Sequence, residues 1–222
     1  MNRPTQKVLT ASLGLIMSAI VAAATDIPIT SLPYTITAPG TYVFIQDLTY
    51  SDPNIPAITI NPPFGAASVI VLDLRGHTLA GLATSSATTG ILNLYRSGGT
   101  PITIKNGTIQ NYSYLALIEN GKYETLEPVG VILDHLTFNQ SLTDSIPGQA
   151  LTFGRMQNCT VRDCVFNSCA LAIYDIDSLG GNRYLNNTFH LCRIQIEISL
   201  EPGATNVLKS CLFPPFVPAQ VP

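Results

Sequence analysis

Asp175, Asp177 and Glu197, with Glu201 nearby, are the residues whose types and spacing best suit chemistry. Carboxylates set a few ångströms apart can share a proton, hold calcium or flank a glycosidic bond. Arg155, just after Phe153, is the candidate neighbour of Asp175, where its guanidinium would neutralise a uronate. Tyr174 adjoins this group, and Tyr112, Tyr114 and Tyr123 stand with Glu119, Glu124 and Glu127 in the stretch 110–128. Aromatic faces stack on sugar rings and bury equally well at protein contacts or in a core. The candidate catalytic groups are therefore Asp175, Asp177 and Glu197; the candidate substrate-binding groups are Arg155, Tyr174, Tyr112, Tyr114 and Tyr123. The plainer reading is stronger: solvated side chains at a strand end, with an Arg155–Asp175 surface pair worth little. The cluster is loose and no histidine aligns with it.

Other chemistry is hard to find. His77, His135 and His190 occupy unrelated repeat positions, so they form no metal triad. No glycine loop of the phosphate-cradling kind and no Gly-x-Ser-x-Gly nucleophile turn occurs. The row Arg75, Lys105, Asp134, Arg162, Leu185 and Lys209 mixes signs, which charge pairing between neighbouring strands explains. Asp73 is expected in another row, followed by Thr103, Ile132, Thr160, Arg183 and Val207, so it founds no acidic track. No resident metal or cofactor is expected.

Those rows exist because the chain repeats. Leu74, His77 and Leu79 supply an inward, corner and inward position, matched by Ile104, Gly107 and Ile109 and by Leu133, Leu136 and Phe138. Val161, Cys164 and Phe166, then Tyr184, Asn187 and Phe189, then Leu208, Cys211 and Phe213 continue the series. The last members follow one another at 30, 29, 28, 23 and 24 residues, a solenoid interval. Further strands read at 90–94, 115–118, 149–153, 171–173 and 194–198, where period-two alternation is clearest in Ile194-Gln-Ile-Glu-Ile198. Gly76, Asn106, His135, Asp163, Asn186 and Ser210 precede the corners, and most are types suited to sharp turns. Asn-x-Ser/Thr sequons begin at Asn106, Asn111, Asn139, Asn158 and Asn186; several coincide with corners and read as turn chemistry.

The composition suits one packed domain. Apolar residues make up 46% and charged residues 11%, which argues for an interior and against disorder. Residues 1–24 read as a secretory signal: Arg3 and Lys7, an apolar run from Val8 to Val21, and Ala22-Ala23-Ala24 before Thr25. Without Arg3 and Lys7 the 11 basic residues fall to 9 against 14 acidic ones, a formal charge of −5 that disfavours nucleic acid as a partner. No later segment reads as a membrane span. The expected location is secreted, periplasmic or at the cell surface, with residues 25–222 forming one domain. Within it, residues 26–50 read as an N-terminal cap whose prolines at 28, 33 and 39 protect the first edge. Residues 214–222 read as a Pro-rich tail that cannot continue the ladder and covers the last coil, with Phe213 or Phe216 against its open core.

Cys159, Cys164, Cys169, Cys192 and Cys211 lack metal-ligand spacing. Cys169 and Cys192 fall at equivalent sites on adjacent coils, about 4.8 Å apart, and are the disulfide candidate. Cys164 and Cys211 are separated by the coil carrying Asn187, about 9–10 Å, and read as small core residues.

The strings Ile-Thr-Ser-Leu-Pro-Tyr-Thr-Ile-Thr-Ala-Pro-Gly-Thr-Tyr-Val-Phe, Val-Ile-Val-Leu-Asp-Leu-Arg-Gly-His-Thr-Leu-Ala-Gly and Ile-Thr-Ile-Lys-Asn-Gly-Thr-Ile resemble secreted proteins of the right-handed parallel β-helix, or pectin-lyase-like, superfamily. The resemblance covers nearly all of residues 25–222. It implies an all-β, single-stranded right-handed parallel β-helix, a solenoid of roughly six to seven coils, with function on its outer face. The superfamily's galacturonan-cutting motifs, Asn-Thr-Asp, Asp-Asp, Gly-His-Gly and Arg-x-Lys, are absent. The expectation is thus a non-enzymatic scaffold that binds a polysaccharide or another surface protein. The alternative is a polysaccharide lyase or glycoside hydrolase, and calcium enters only with the lyase.

Overall fold

A computed structural model describes residues 25–50, 52–63, 69–82, 88–93, 102–112, 115–120, 130–140, 142–143, 146–154 and 156–214, with the backbone alone described at 115–120, 142–143 and 146–147. The segment 1–24, expected to be a secretory signal, and nearly all of the tail lie outside the described residues.

The alternating runs become strands in two parallel sheets, and no helix occurs among the described residues. One sheet stacks Ile27–Ile29, Gly40–Phe44, Ile70–Asp73, Ile102–Gln110, Val131–Asn139, Thr160–Arg162, Arg183–Leu185 and Val207–Lys209 in that order. The other stacks Tyr34–Ile36, Ile58–Ile60, Thr89–Asn93, Leu115–Asn120, Gln149–Gly154, Leu171–Ser178 and Ile194–Leu200. Past the corner, short strands at Leu48–Thr49, Thr78–Ala80, Val165–Asn167 and Thr188–His190 align with the second halves of Ile102–Gln110 and Val131–Asn139. The chain alternates between sheets, so each pairing joins strands about one repeat apart, as in a β-helix-like solenoid. An antiparallel hairpin, Leu142–Thr143 with Ile146–Pro147, is the exception. Residues 27–49 already pair in these sheets, so the expected cap is itself part of the stack.

The interior is built of columns, one side chain per strand. Leu72, Ile104, Leu133, Val161 and Tyr184 form one and are all buried. Leu79, Ile109, Phe138, Phe166 and Phe189 form another. Phe138, Phe166, Phe189 and Phe213 stack with ring centroids 4.9, 5.0 and 5.0 Å apart and planes within 8°. Successive coils here are therefore related by nearly pure translation, with little of the usual sheet twist.

Corners are made by single left-handed residues: Asn106, His135, Asp163, Asn186 and Ser210 have φ between 52° and 59°. Four of the sequon asparagines, Asn106, Asn111, Asn158 and Asn186, share that conformation, which supports their reading as turn residues. A small inward residue follows such corners. Cys159, Cys164, Cys169, Cys192 and Cys211 each donate a thiol hydrogen bond to the carbonyl two residues earlier. Asn187 accepts from the Cys164 N–H (3.0 Å) and donates to the Val161 carbonyl (2.9 Å), joining two coils inside the corner.

Two expectations need correction. Leu72, not Leu74, lies over Ile104, because the first corner holds extra residues and Leu74 turns into the core beyond it. Leu74 fills the space beside Gly107, where an added Cβ would come within 2.4 Å of the Leu74 Cβ and 2.6 Å of the His77 carbonyl. Cys169 and Cys192 do meet on adjacent coils, yet both are free thiols, like the other three. The neighbouring Cys192 thiol, together with burial, raises the Cys169 pKa.

Candidate functional site

The short strands past the corner build a two-row outer surface. Because Leu79, Ile109, Phe138, Phe166 and Phe189 point inward, alternation turns their neighbours outward. Thr78, Thr108, Thr137, Val165 and Thr188 form one row, and Ala80, Gln110, Asn139, Asn167 and His190 the other. Asn167 donates an amide hydrogen bond to Asn139 Oδ1 (2.7 Å), linking two coils. At one end of the threonine row, Asp47 accepts from the Thr78 N–H (2.8 Å) and meets His77 Nδ1 at 3.3 Å. The surface combines hydroxyls, methyls and amides at the coil spacing. Sequence reasoning passed over it, although the signal is present as Thr78-Leu-Ala, Thr108-Ile-Gln, Thr137-Phe-Asn, Val165-Phe-Asn and Thr188-Phe-His.

The candidate carboxylates do not share a surface. Tyr174 lies beside Glu197 and Asp175 beside Ile198. Asp175, however, occupies the inward position of Phe153 on the preceding strand and is fully buried. Its Oδ2 accepts from the Tyr184 hydroxyl (2.7 Å), Asn206 Nδ2 (2.8 Å) and Asn182 Nδ2 (3.0 Å), while Ser178 Oγ accepts from the same two amides (both 3.0 Å). Asp175 Oδ1 has no hydrogen-bond partner among the described residues. Burial first, and then the Asp175 charge, push the Tyr184 phenol well above its usual range. A bulge between Asp175 and Ser178, with Asp177 at φ 50°, turns Asp177 outward to Ser199, and Glu197 is exposed. Asp175 therefore belongs to an internal polar network and cannot flank an external bond with Asp177 and Glu197. Arg155, Tyr114 and Tyr123 lie outside the described residues. Tyr112 is a core residue, and burial pushes its phenol up; Tyr174 is half-buried on the second sheet.

The charged row also changes membership. Asp73, not Arg75, stands beside Lys105, followed by Asp134, Arg162, Leu185 and Lys209. Signs alternate across its first four members. Lys105 meets Asp73 at 3.4 Å, and Arg162 donates to Asp134 Oδ2 at 2.7 Å. The bond from Arg162, aided by His135 at 2.6 Å, holds the Asp134 carboxyl below the usual carboxylate range. Arg75 instead pairs with Asp26. Asp134, His135 and Asp163 place ligand-type atoms within 4.8 Å of one another, but Asp134 is held by Arg162 and His135, and Asp163 accepts from Asn186. The arrangement is charge pairing along a stack.

Comparison with models of protein families, with curated proteins and with solved structures finds no match in any of the three. Among the described residues, no helix is long and apolar enough to cross a membrane.

Proposed function

We propose that this protein is a secreted or surface right-handed parallel β-helix of roughly six to seven coils, related to the pectin-lyase-like superfamily, that binds an extended glycan on its outer face. The carrying observation is the pair of rows Thr78, Thr108, Thr137, Val165, Thr188 and Ala80, Gln110, Asn139, Asn167, His190, set at the coil spacing over the inward column Leu79, Ile109, Phe138, Phe166 and Phe189. A regular polymer presents hydroxyls at a regular interval. Hydroxyl and amide side chains both donate and accept, so each coil adds a similar contact and individually weak bonds accumulate along the polymer. Burial removes Asp175 from any external site and leaves Asp177 and Glu197 as the exposed carboxylates of the enzyme reading.

Affinity electrophoresis through gels containing neutral or acidic polysaccharides tests this reading. The chain from Thr25 should be retarded by at least one polymer, and a Thr137→Ala/Asn139→Ala/Asn167→Ala variant should lose about tenfold in affinity. Parallel assays should reveal no new reducing ends or unsaturated products. A folded protein retarded by no polymer would sink the glycan reading; turnover requiring Asp177 or Glu197 would replace it with the enzyme reading.

A further inference from the structure

The two outer rows past the corner form a bounded track without cations. Neither row holds a lysine, an arginine or a carboxylate, and every member is at least partly exposed. Before the first coil stands Asp47, which accepts from the Thr78 N–H, and after the last the row of Thr188 passes to the exposed Leu212. Round the corner, Lys105 and Arg162 are already paired with Asp73 and Asp134. Each of the five coils keeps a polar side chain: where the first row has Val165 the second has Asn167, and where the second has Ala80 the first has Thr78.

The track has a defined spacing in both directions. Along the stack, the rings of Phe138, Phe166 and Phe189 between the two rows follow at 4.9 and 5.0 Å with planes within 8°, so the rows run straight over these coils. Across the stack, the rows stand two residues apart on each strand, roughly 6.6 Å, about the breadth of a pyranose ring. We propose that the polymer bound here is a neutral β-1,4-linked glycan lying along the stack, one sugar to each coil. The inference rests on the glycan reading above and names its class. In β-1,4-linked glucose, mannose or N-acetylglucosamine both glycosidic bonds leave the ring equatorially, so the chain extends as a flat ribbon and advances per sugar by nearly the strand spacing. Its two edges then meet the two rows, coil after coil, through hydroxyl and amide groups that both donate and accept. An α-1,4-linked chain leaves the ring axially and coils away from a straight track. A uronate polymer would lose hydration at every carboxylate, with no cation in either row to offset it and Asp47 at one end to repel it.

Calorimetric titration of the chain from Thr25 with oligosaccharides of two to six sugars tests this. The probes are β-1,4-linked glucose, mannose and N-acetylglucosamine oligomers, set against α-1,4-linked glucose and galacturonate oligomers of equal length. Affinity for at least one β-1,4 series should rise with each added sugar and level off at five, the number of coils in the track. Both α-1,4 series should bind at least about tenfold more weakly. Thr188→Trp, which blocks the last coil, should bring the plateau down to four with an unchanged far-ultraviolet spectrum. A plateau at two sugars would place the chain across the stack and overturn the proposal. Equal or tighter binding of an α-1,4 series would overturn it while leaving the glycan reading in place. Silence in every series would overturn it too, and gel retardation by a polysaccharide then decides separately whether the glycan reading survives.

Discussion

Tyr184 donates a hydrogen bond from its phenol to Asp175 across 2.7 Å, and both side chains are fully buried. The bond joins a residue of the internal phenylalanine-and-aliphatic scaffold to the carboxylate that sequence reasoning had assigned to the surface. Tyr184→Phe keeps the ring and removes one of three donors to Asp175 Oδ2. It should lower stability by about 1–3 kcal/mol, read as a reduced urea midpoint with an unchanged slope. An unaltered midpoint would show that the amides of Asn182 and Asn206 suffice.

Gly107 is predicted to be more sensitive than its exposure suggests. A Cβ there would overlap the Leu74 Cβ and approach the His77 carbonyl, so Gly107→Ala should cost about 1–3 kcal/mol. Leu74→Ala introduced with it should not recover that loss, because alanine keeps the Cβ that crowds the site and truncating the buried Leu74 leaves a cavity. Thermal unfolding of the single and double variants measures the coupling.

Asp134 makes stability depend on pH in a defined direction. Its folded pKa is depressed, chiefly by the hydrogen bond from Arg162, so its contribution is complete above the ordinary carboxylate range and is lost as pH falls through the depressed value. Arg162→Ala should move the Asp134 titration, followed by carboxyl-carbon NMR, upward toward an ordinary aspartate. The stability change near neutrality should be about 0.2–1 kcal/mol, since the pair is partly exposed.

The five thiols should differ in reactivity. Cys211 is the only one not fully buried, whereas burial pushes Cys164 up to about 12. Brief alkylation of the native protein at pH 8, followed by peptide mass mapping, should label Cys211 first. Unfolding without reductant should then bring the total of labelled thiols to five; a total of only three would establish a disulfide.

The stacking of this protein was legible because inward Ile, Leu and Phe recur at solenoid intervals and left-handed corners select Asn, Asp, Ser and His. What the sequence obscured is local. A corner with extra residues exchanged Leu74 for Leu72 in the first column and Arg75 for Asp73 in the charged row, since a small shift on one strand reassigns every partner. Asp175 looked external because charge is seldom found inside; only the positions of Tyr184, Asn182 and Asn206 on other strands supply its donors. The threonine and amide rows were visible letter by letter, but their meaning required the register that aligns them.

The near-parallel planes of the stacked phenylalanines also bear on how such a chain can change over generations. Units that superpose by translation act like graduations on a ruler: adding or removing one whole graduation displaces everything beyond it by a fixed step and leaves the markings in line. Length can then vary by whole turns while the spacing offered to a periodic target stays the same.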